Sequence, residues 1–444
     1  MRKSRYATHV ELADGEHVLF NAATWRFAAC DGTPAAAFAR AGRSCAGGAR
    51  AGAGAGAERA LADAGFLVED GFDEVAAQRA AFEAFRSDAS VLHLSLAPTY
   101  ACNCRCAYCY EQDKATAKSI MGPEVEDAVY AFVRERHAAT GFTSLFVEWY
   151  GGAPQLCLDL VERMAGNLAA FCDERGISYD SMMLSNATRI GQPEADLIAR
   201  ARVSSVMVTV DGPEDLHNER RPAVDVENAF EAVMRAIGCL QQAGVYVAAA
   251  MNADKVNMAR LPELRALLRE QGVEVAPVKL NDYSHTYNCP GEARFCSPAV
   301  QLYTHREFAH ANYEALRDAG LTAAQLGEML KPSDHFCSGH MNSSYVVDAF
   351  GDVYKCDGWM GDRSRRLFNL LDGSPWVHDA ITFDPFEDER CRECRLLPLC
   401  WGNCSWEREL CDWPCHPLMY AMDRYLESYR ACFPARKEPF EVLA

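Results

Sequence analysis

The stretch TYACNCRCAYCYEQ, residues 99–112, sets four cysteines into eight positions. Cys102, Cys106 and Cys109 form a C-x3-C-x2-C array that leaves Cys104 out. Three thiolates on one tight loop can hold three irons of a [4Fe-4S] cluster while the fourth iron stays open to a small chelating ligand. The array follows the strand-like run VLHLSLAP, and Tyr108 offers an aromatic face of the kind that packs a bound base. Cys104, out of step with the spacing, reads as packing.

Working outward, residues 93–280 alternate regularly. Strand-like runs VLHLSLAP, SLFVEWYGG, SMMLSNA, SVMVTVDG, VYVAAAMNA and VEVAPVKL are separated by amphipathic stretches such as EVEDAVYAFVRERHAA. Repeated βα units of this length predict an α/β fold with a parallel sheet, open or curled into a partial barrel. Loops at the strand carboxyl ends then gather at one edge. The cysteine loop, Gly151-Gly152, Ser185-Asn186 and Asp211-Gly212 all follow such strands, and read as one site.

Residues 1–92 read as a separate unit. HVELADGEHVLFNAATWRFAAC predicts a hairpin turning at Asp14-Gly15, and ERALADAGFLVED a short helix, a stop at Gly65 and a strand. The Gly/Ala segment 46–57 is too glycine-rich for a firm helix and reads as a flexible insertion. Together these suggest a small winged-helix-like module. Residues 281–332 read as a linker with helical character, and 333–444 return to dense cysteine.

The chain has 444 residues, a net charge of −18 and 20 cysteines. Acidic charge in short mixed runs argues against nucleic acid as a partner. No signal-peptide h-region follows the basic start, and no apolar run approaches the roughly 20 residues of a membrane span. A cytoplasmic location is therefore expected, with no membrane partner, and clustered cysteines there read as metal or iron-sulfur ligands before disulfides. Isolated Cys30, Cys45, Cys157, Cys172 and Cys239 read as small hydrophobes.

Cys337, Gly351 and Cys356 open the second cysteine-rich part, and CRECRLLPLCWGNC carries Cys391, Cys394, Cys400 and Cys404 in C-x2-C-x5-C-x3-C. A structural zinc site is the alternative such spacing leaves open.

From the C-x3-C-x2-C loop and this second array, residues 93–432 resemble a radical S-adenosylmethionine enzyme with a C-terminal SPASM domain. The resemblance implies a partial (β/α)6 TIM-like barrel of radical SAM type. It also implies that S-adenosyl-L-methionine chelates the open iron and is cleaved by one electron to a 5'-deoxyadenosyl radical. In WYGGAP, Gly151 and Gly152 match a glycine pair whose backbone accepts the methionine amine, although Ala153 stands where glutamate is usual. Ser185, Asn186 and Thr209 to Gly212, Asp211 among them, match contacts to ribose and carboxylate, with Arg220 or Arg221 as carboxylate partner. By the same resemblance Cys391, Cys394, Cys400 and Cys415 hold one auxiliary [4Fe-4S] cluster, with Cys411 in reserve. Cys337, Cys356 and Cys404 belong to a second, completed by Cys289, Cys296 or an open iron, giving three clusters in all.

The family's small N-terminal modules commonly bind the leader of a ribosomally made peptide. The expected function is thus a peptide maturase that abstracts hydrogen from a Cys-containing precursor, bound through its leader, and closes a thioether. Flavodoxin or ferredoxin would supply electrons. The nearest rival is an anaerobic sulfatase maturase making formylglycine, in which Asp357 matches a proton-accepting acid. A binding protein without catalysis is the remaining alternative.

Overall fold

The computed structural model describes residues 1–41, 53–109, 111, 119–280, 300–331, 337–373, 383–404, 408 and 415–443. The N-terminal unit runs β1 (Arg2–Lys3), β2 (Ala7–Glu11), β3 (His17–Asn21), β4 (Arg26–Cys30), α1 (Gly32–Arg40), α2 (Ala53–Asp63), β5 (Leu67–Val68) and α3 (Glu74–Ser87). The β2–β3 hairpin turns at Asp14-Gly15 as its alternation predicts; Gly15 takes φ 83°, which glycine adopts without a Cβ penalty. One expectation is corrected. α2 begins at Ala53, so the end of the Gly/Ala segment is helical: each glycine there alternates with alanine, the strongest helix former, and ERALAD extends the helix. Residues 46–52 of that segment and Cys45 lie outside the described residues.

The central unit is a run of parallel strands. These are β6 (Val91–Leu96), β7 (Ser144–Trp149), β8 (Ser178–Ser185), β9 (Ser205–Thr209), β10 (Tyr246–Ala253) and β11 (Val275–Lys279), each a run named above. Between them lie α4 (Pro123–Thr140), α5 (Leu158–Asp173), α6 (Gln192–Arg200), α7 (Glu214–Arg220), α8 (Ala229–Gln242) and α9 (Leu261–Arg269). Strand order follows chain order from β6 to β11, the pattern that successive βα crossovers produce. In β7, Leu145, Val147 and Trp149 are fully buried while Ser144, Phe146 and Glu148 on the opposite face are less so. Helix α5 buries Leu158, Val161, Ala165, Leu168 and Cys172, the stripe a 3.6-residue period produces.

Beyond the barrel come α10 (His305–Asp318), α11 (Ala323–Leu330), β12 (Ser344–Val347), β13 (Asp352–Tyr354), β14 (Phe368–Asn369), α12 (Glu389–Arg392), α13 (Leu397–Cys400), α14 (Leu418–Ala431) and β15 (Phe440–Val442). Two of their pairings were not legible beforehand. β12 lies parallel to β6 on its free side, with Val347 opposite Leu96, so the last cysteine-rich part extends the barrel sheet to nine strands. β15 pairs antiparallel with β4, closing a four-stranded sheet in the order β15-β4-β3-β2.

A shared core explains this closure. Tyr6, Phe20, Phe27 and Phe82 pack in one buried cluster with Leu326, Leu397, Trp401, Tyr425 and Tyr429, and the Phe27 and Tyr429 rings meet edge-on at 4.8 Å. The N-terminal unit therefore buries part of its apolar face against the last cysteine-rich part. Cys30 and Cys172 are fully buried, and Cys157 and Cys239 half-buried. No described helix is long and apolar enough to cross a membrane.

Candidate functional site

The carboxyl ends of β6 to β10 lie at one edge, because the parallel register sets Leu96 opposite Trp149, Trp149 opposite Met183, and Thr209 opposite Ala250. The cysteine loop leaves this edge after β6. Its backbone is pinned on both sides: Arg105 N donates to Pro222 O at 2.8 Å, Ala107 N to Arg220 O at 3.0 Å, and Gly152 N to Thr99 O at 3.0 Å. Cys102, Cys104, Cys106, Tyr108 and Cys109 pack together in one cluster with Leu280 and Val300.

The glycine pair has a steric reason. A Cβ on Gly151, at φ 98°, would lie 2.6 Å from Thr99 O, and one on Gly152 would lie 2.4 Å from Tyr100 O and 2.5 Å from Ala101 O. Only hydrogen at these positions lets the β7 exit press on the cysteine loop. Ala153 is fully buried.

Electrostatics favour thiolate at two of the three positions. Hydrogen bonding from Cys104, then the Arg221 cation and Asn186, holds Cys102 down to about 6 against its burial. Cys106 is also lowered, first by Cys104 and then by Arg221, whereas burial raises Cys109. Cys104, read as packing, thus touches two of the array's sulfurs, and its own thiol is pushed up. A [4Fe-4S] cluster is held by cysteine thiolates. These residues fit that group, with Cys102, Cys106 and Cys109 to hold it.

Ser185 and Asn186 sit where β8 ends. Asn186 Nδ2 donates to Cys102 Sγ at 3.5 Å and to Asn103 Oδ1 at 3.0 Å, while Gln155 Nε2 donates to Asn186 Oδ1 at 2.7 Å and Ser185 Oγ to Gln155 Oε1 at 3.0 Å. Gln155 and Asn103 were missed by sequence reasoning, since neither belongs to a spaced motif. Tyr108 is buried and bonded by its hydroxyl to Asp211, Arg221 and Asn252. Its ring faces the Arg220 guanidinium at 5.4 Å. Asp211 is fully buried and accepts from Asn252 N at 2.9 Å. Arg220 is fully buried and bound to Asp254 at 2.9 Å, whereas Arg221 lies 3.9 Å from Asp211 and keeps slight exposure. Thr209 ends β9, half-buried at the same edge.

Inside the barrel, Ser95 Oγ donates to Glu148 Oε2 at 2.8 Å. Asp357, in the turn after β13, faces this pair; its Oδ1 is buried with no hydrogen-bond partner among the described residues. Burial, then Glu148 and Glu111, push the Asp357 carboxyl up to about 8, and burial raises Glu148 as well. Glu148 and Glu111 were not singled out from the sequence. The alternation of β7 with Ser95 opposite Glu148 was the available signal.

The second array forms two groups. Cys391, Cys394, Cys400 and Cys415 line one cavity of about 250 Å³ with Arg408, His416 and Met419. Arg408 donates to Cys391 Sγ at 3.2 Å and Leu396 N to Cys394 Sγ at 3.4 Å, so both sulfurs already accept hydrogen bonds suited to thiolate. Among the described residues no three His, Cys, Asp or Glu side chains converge on a point that would hold a single metal ion. Four cysteines around one cavity are donors that fit an iron-sulfur cluster. Burial, then Asp357, raises the Cys356 thiol, and Cys337 and Cys404 are close enough to raise it further. Cys289, Cys296 and Cys411 lie outside the described residues.

Residues 96–268 match the family model described as the Radical SAM superfamily. A curated relative, the cysteine-type anaerobic sulfatase-maturating enzyme of Clostridium perfringens, is 24% identical over 366 residues, covering 75% of this chain and 94% of its own. A solved structure of anSMEcpe with bound AdoMet and Cp18Cys peptide superposes with a TM-score of 0.59 at 18% identity, covering 77% of this chain and 99% of that one. Streptococcus suis SuiB bound to precursor peptide SuiA superposes with a TM-score of 0.50 at 12% identity, covering 93% of this chain and 97% of that one.

Proposed function

The chain is a radical S-adenosylmethionine enzyme, and on that premise we propose that it is a peptide maturase that joins a cysteine sulfur to a substrate carbon. One observation carries the proposal: likeness to SuiB, solved with a precursor peptide, extends over 93% of the chain, whereas likeness to the sulfatase-maturating structure stops at 77%. The difference, 16% of 444 residues or about 71, would be accommodated within residues 1–92, the unit expected to grip a leader.

When bound, a cluster held by Cys102, Cys106 and Cys109 together with S-adenosylmethionine would supply the radical chemistry for hydrogen abstraction, and clusters held by the second-array cysteines would provide an electron sink. The chain's own residues do the rest. Gly151 and Gly152 let backbone approach the cofactor edge, Asn186 and Arg221 hold Cys102 and Cys106 as thiolates, and Arg221 is the cation for the methionine carboxylate. Arg220 serves Asp254, so its part is to shape the loop. Asp357, whose carboxyl is raised to about 8 by burial and then by Glu148, accepts in its ionised fraction the proton that the substrate thiol loses as the new S–C bond forms.

A second reading, formylglycine formation, is favoured by the curated relatives and by the same acid at Asp357. Mass spectrometry of a Cys-containing precursor after anaerobic turnover separates them. Loss of two hydrogens with sulfur retained supports the thioether; loss of sulfur supports formylglycine. Absence of 5'-deoxyadenosine from reduced, iron-loaded protein would sink both.

A further inference from the structure

Cys400 ends α13 in one group of the second array, and Cys404 belongs to the other. The chain between them passes through three left-handed residues, Trp401 at φ 36°, Gly402 at 88° and Asn403 at 61°. Glycine alone takes that conformation without a Cβ penalty, so the turn needs support from outside itself. Arg408 Nε donates to Gly402 O at 2.5 Å, and His340 Nε2 lies 3.2 Å from Asn403 O. A Cβ on Gly402 would stand 2.4 Å from Cε1 of Phe383, whose ring in turn lies 4.0 Å from the Arg408 guanidinium carbon. Arg408 N donates to Cys404 O at 3.3 Å.

Backbone, Nε and ring face together fix where the guanidinium points. Its Nη2 donates to Cys391 Sγ at 3.2 Å, at the wall of the cavity lined by Cys391, Cys394, Cys400 and Cys415. An arginine is charged at every working pH and holds its N–H groups in a rigid fork, so this bond sets a permanent cation on one sulfur of the group. Hydrogen bonds to ligand sulfurs and local charge tune the reduction potential of an iron-sulfur cluster, and a cation favours the reduced, more negative state. The surroundings of the Cys356 group differ. There the adjacent side chain is the Asp357 carboxyl, which raises the Cys356 thiol, and the Lys355 ammonium donates to the carbonyls of Met341 and Ser344, the latter at 2.7 Å.

We propose that Arg408 is a redox-tuning residue: clamped by Gly402 O and the Phe383 ring, its guanidinium raises the reduction potential of the cluster that Cys391, Cys394, Cys400 and Cys415 would hold, and leaves that of the Cys337, Cys356 and Cys404 group unmoved. Arg408 is thus a positioning residue for charge and not a catalytic one. That the tuned cluster serves as an electron sink rests on the function proposed above. The effect of Arg408 on its potential does not.

The test is a redox titration followed by electron paramagnetic resonance on the full, iron-loaded chain, with Cys102, Cys106 and Cys109 changed to alanine so that the second array alone carries clusters. Adding Cys337→Ala and Cys356→Ala should remove one wave and so assign the other to the group of Cys391. Arg408→Gln and Arg408→Met both remove the charge. Each should keep its iron and weaken reduction at the assigned wave at least about tenfold, a fall of about 59 mV for one electron, with the other wave unmoved. Arg408→Lys, which keeps the charge, should move the assigned wave by less than half as much. An unmoved wave in the neutral variants, an equal shift in the lysine variant, equal movement of both waves, or loss of iron from both neutral variants would each overturn the proposal, the last by making Arg408 a structural tie. Deoxyadenosine formation by Arg408 variants that retain Cys102, Cys106 and Cys109 reports separately on the enzyme reading.

Discussion

Replacing Gly152 by alanine tests whether the glycine pair is there to seat the cysteine loop. The added Cβ would stand 2.4 Å from Tyr100 O and 2.5 Å from Ala101 O, where real Cβ contacts do not fall below 3.0 Å. The loop or the β7 exit must therefore open by at least 0.6 Å. Both obstacles are backbone, and the loop is pinned from the other side by Pro222 and Arg220 carbonyls, so no flexible side chain can absorb the shift. Overpacking of this kind costs about 1–3 kcal/mol. A displacement approaching 1 Å at a reacting centre can lower turnover by about 10²-fold. The assay has two readouts: iron retained by the Cys102–Cys109 loop in a variant whose second-array cysteines are changed to alanine, and deoxyadenosine formed by the otherwise intact enzyme. Gly152→Ala should lower both, and Gly166→Ala, on an α5 position with nothing within 4 Å of the new Cβ, should lower neither. Full iron and full cleavage in Gly152→Ala would refute the steric argument.

The other predictions concern charge, ligands and the shared core. Changing Cys102, Cys106 and Cys109 to alanine should abolish deoxyadenosine formation but leave the second-array iron, whereas Cys391→Ala with Cys394→Ala should do the reverse to iron content. Asp211→Ala removes the carboxylate that faces the buried Arg221 cation, while Arg220 keeps Asp254, and should cost about 3–5 kcal/mol in denaturant titration. Asp357 has its folded pKa raised from 3.8 to about 8, so the folded state binds the extra proton and its stability falls as pH rises from about 4 to about 8. Asp357→Asn should remove that slope, and a wild-type melting temperature flat over this window would contradict it. Phe27→Ala should cost about 3–5 kcal/mol and loosen α14 along with the N-terminal sheet, read by hydrogen exchange at both.

Local pattern carried most of the barrel. Five of its six strands were visible because alternating or continuous apolar runs ended at Gly, Asn or Asp, the β6 run ending instead at Pro98, and each crossover then had only one favourable hand. The cysteines were visible because ligand spacing on one loop is a local property. What stayed hidden was long-range pairing. Nothing in SYVV or FEV says that one will lie beside β6 and the other beside β4, since any short apolar run can complete an edge. Polar supports were hidden for the same reason: Gln155, Asn103 and Glu148 acquire meaning only from the residues folding brings opposite them.

The β6–β12 pairing has a consequence for how the two cysteine-rich parts work together. Val347 lies opposite Leu96 in a hydrogen-bonded ladder, and each strand runs directly into a functional loop, β6 into the cysteine array and β12 through β13 into Cys356 and Asp357. Tyr100, two residues before Cys102, donates its hydroxyl to Asp348 at 2.9 Å, just after β12. A ladder and a buried hydrogen bond thus fix the Asp357 carboxyl relative to the Cys102–Cys109 loop without any intervening mobile joint. If so, Tyr100→Phe should leave iron content unchanged but alter the outcome after hydrogen abstraction: deoxyadenosine continues to form while product per deoxyadenosine falls. Equal loss of both would mean that Tyr100 supports only the cluster loop, and that the acid is held by β13 alone.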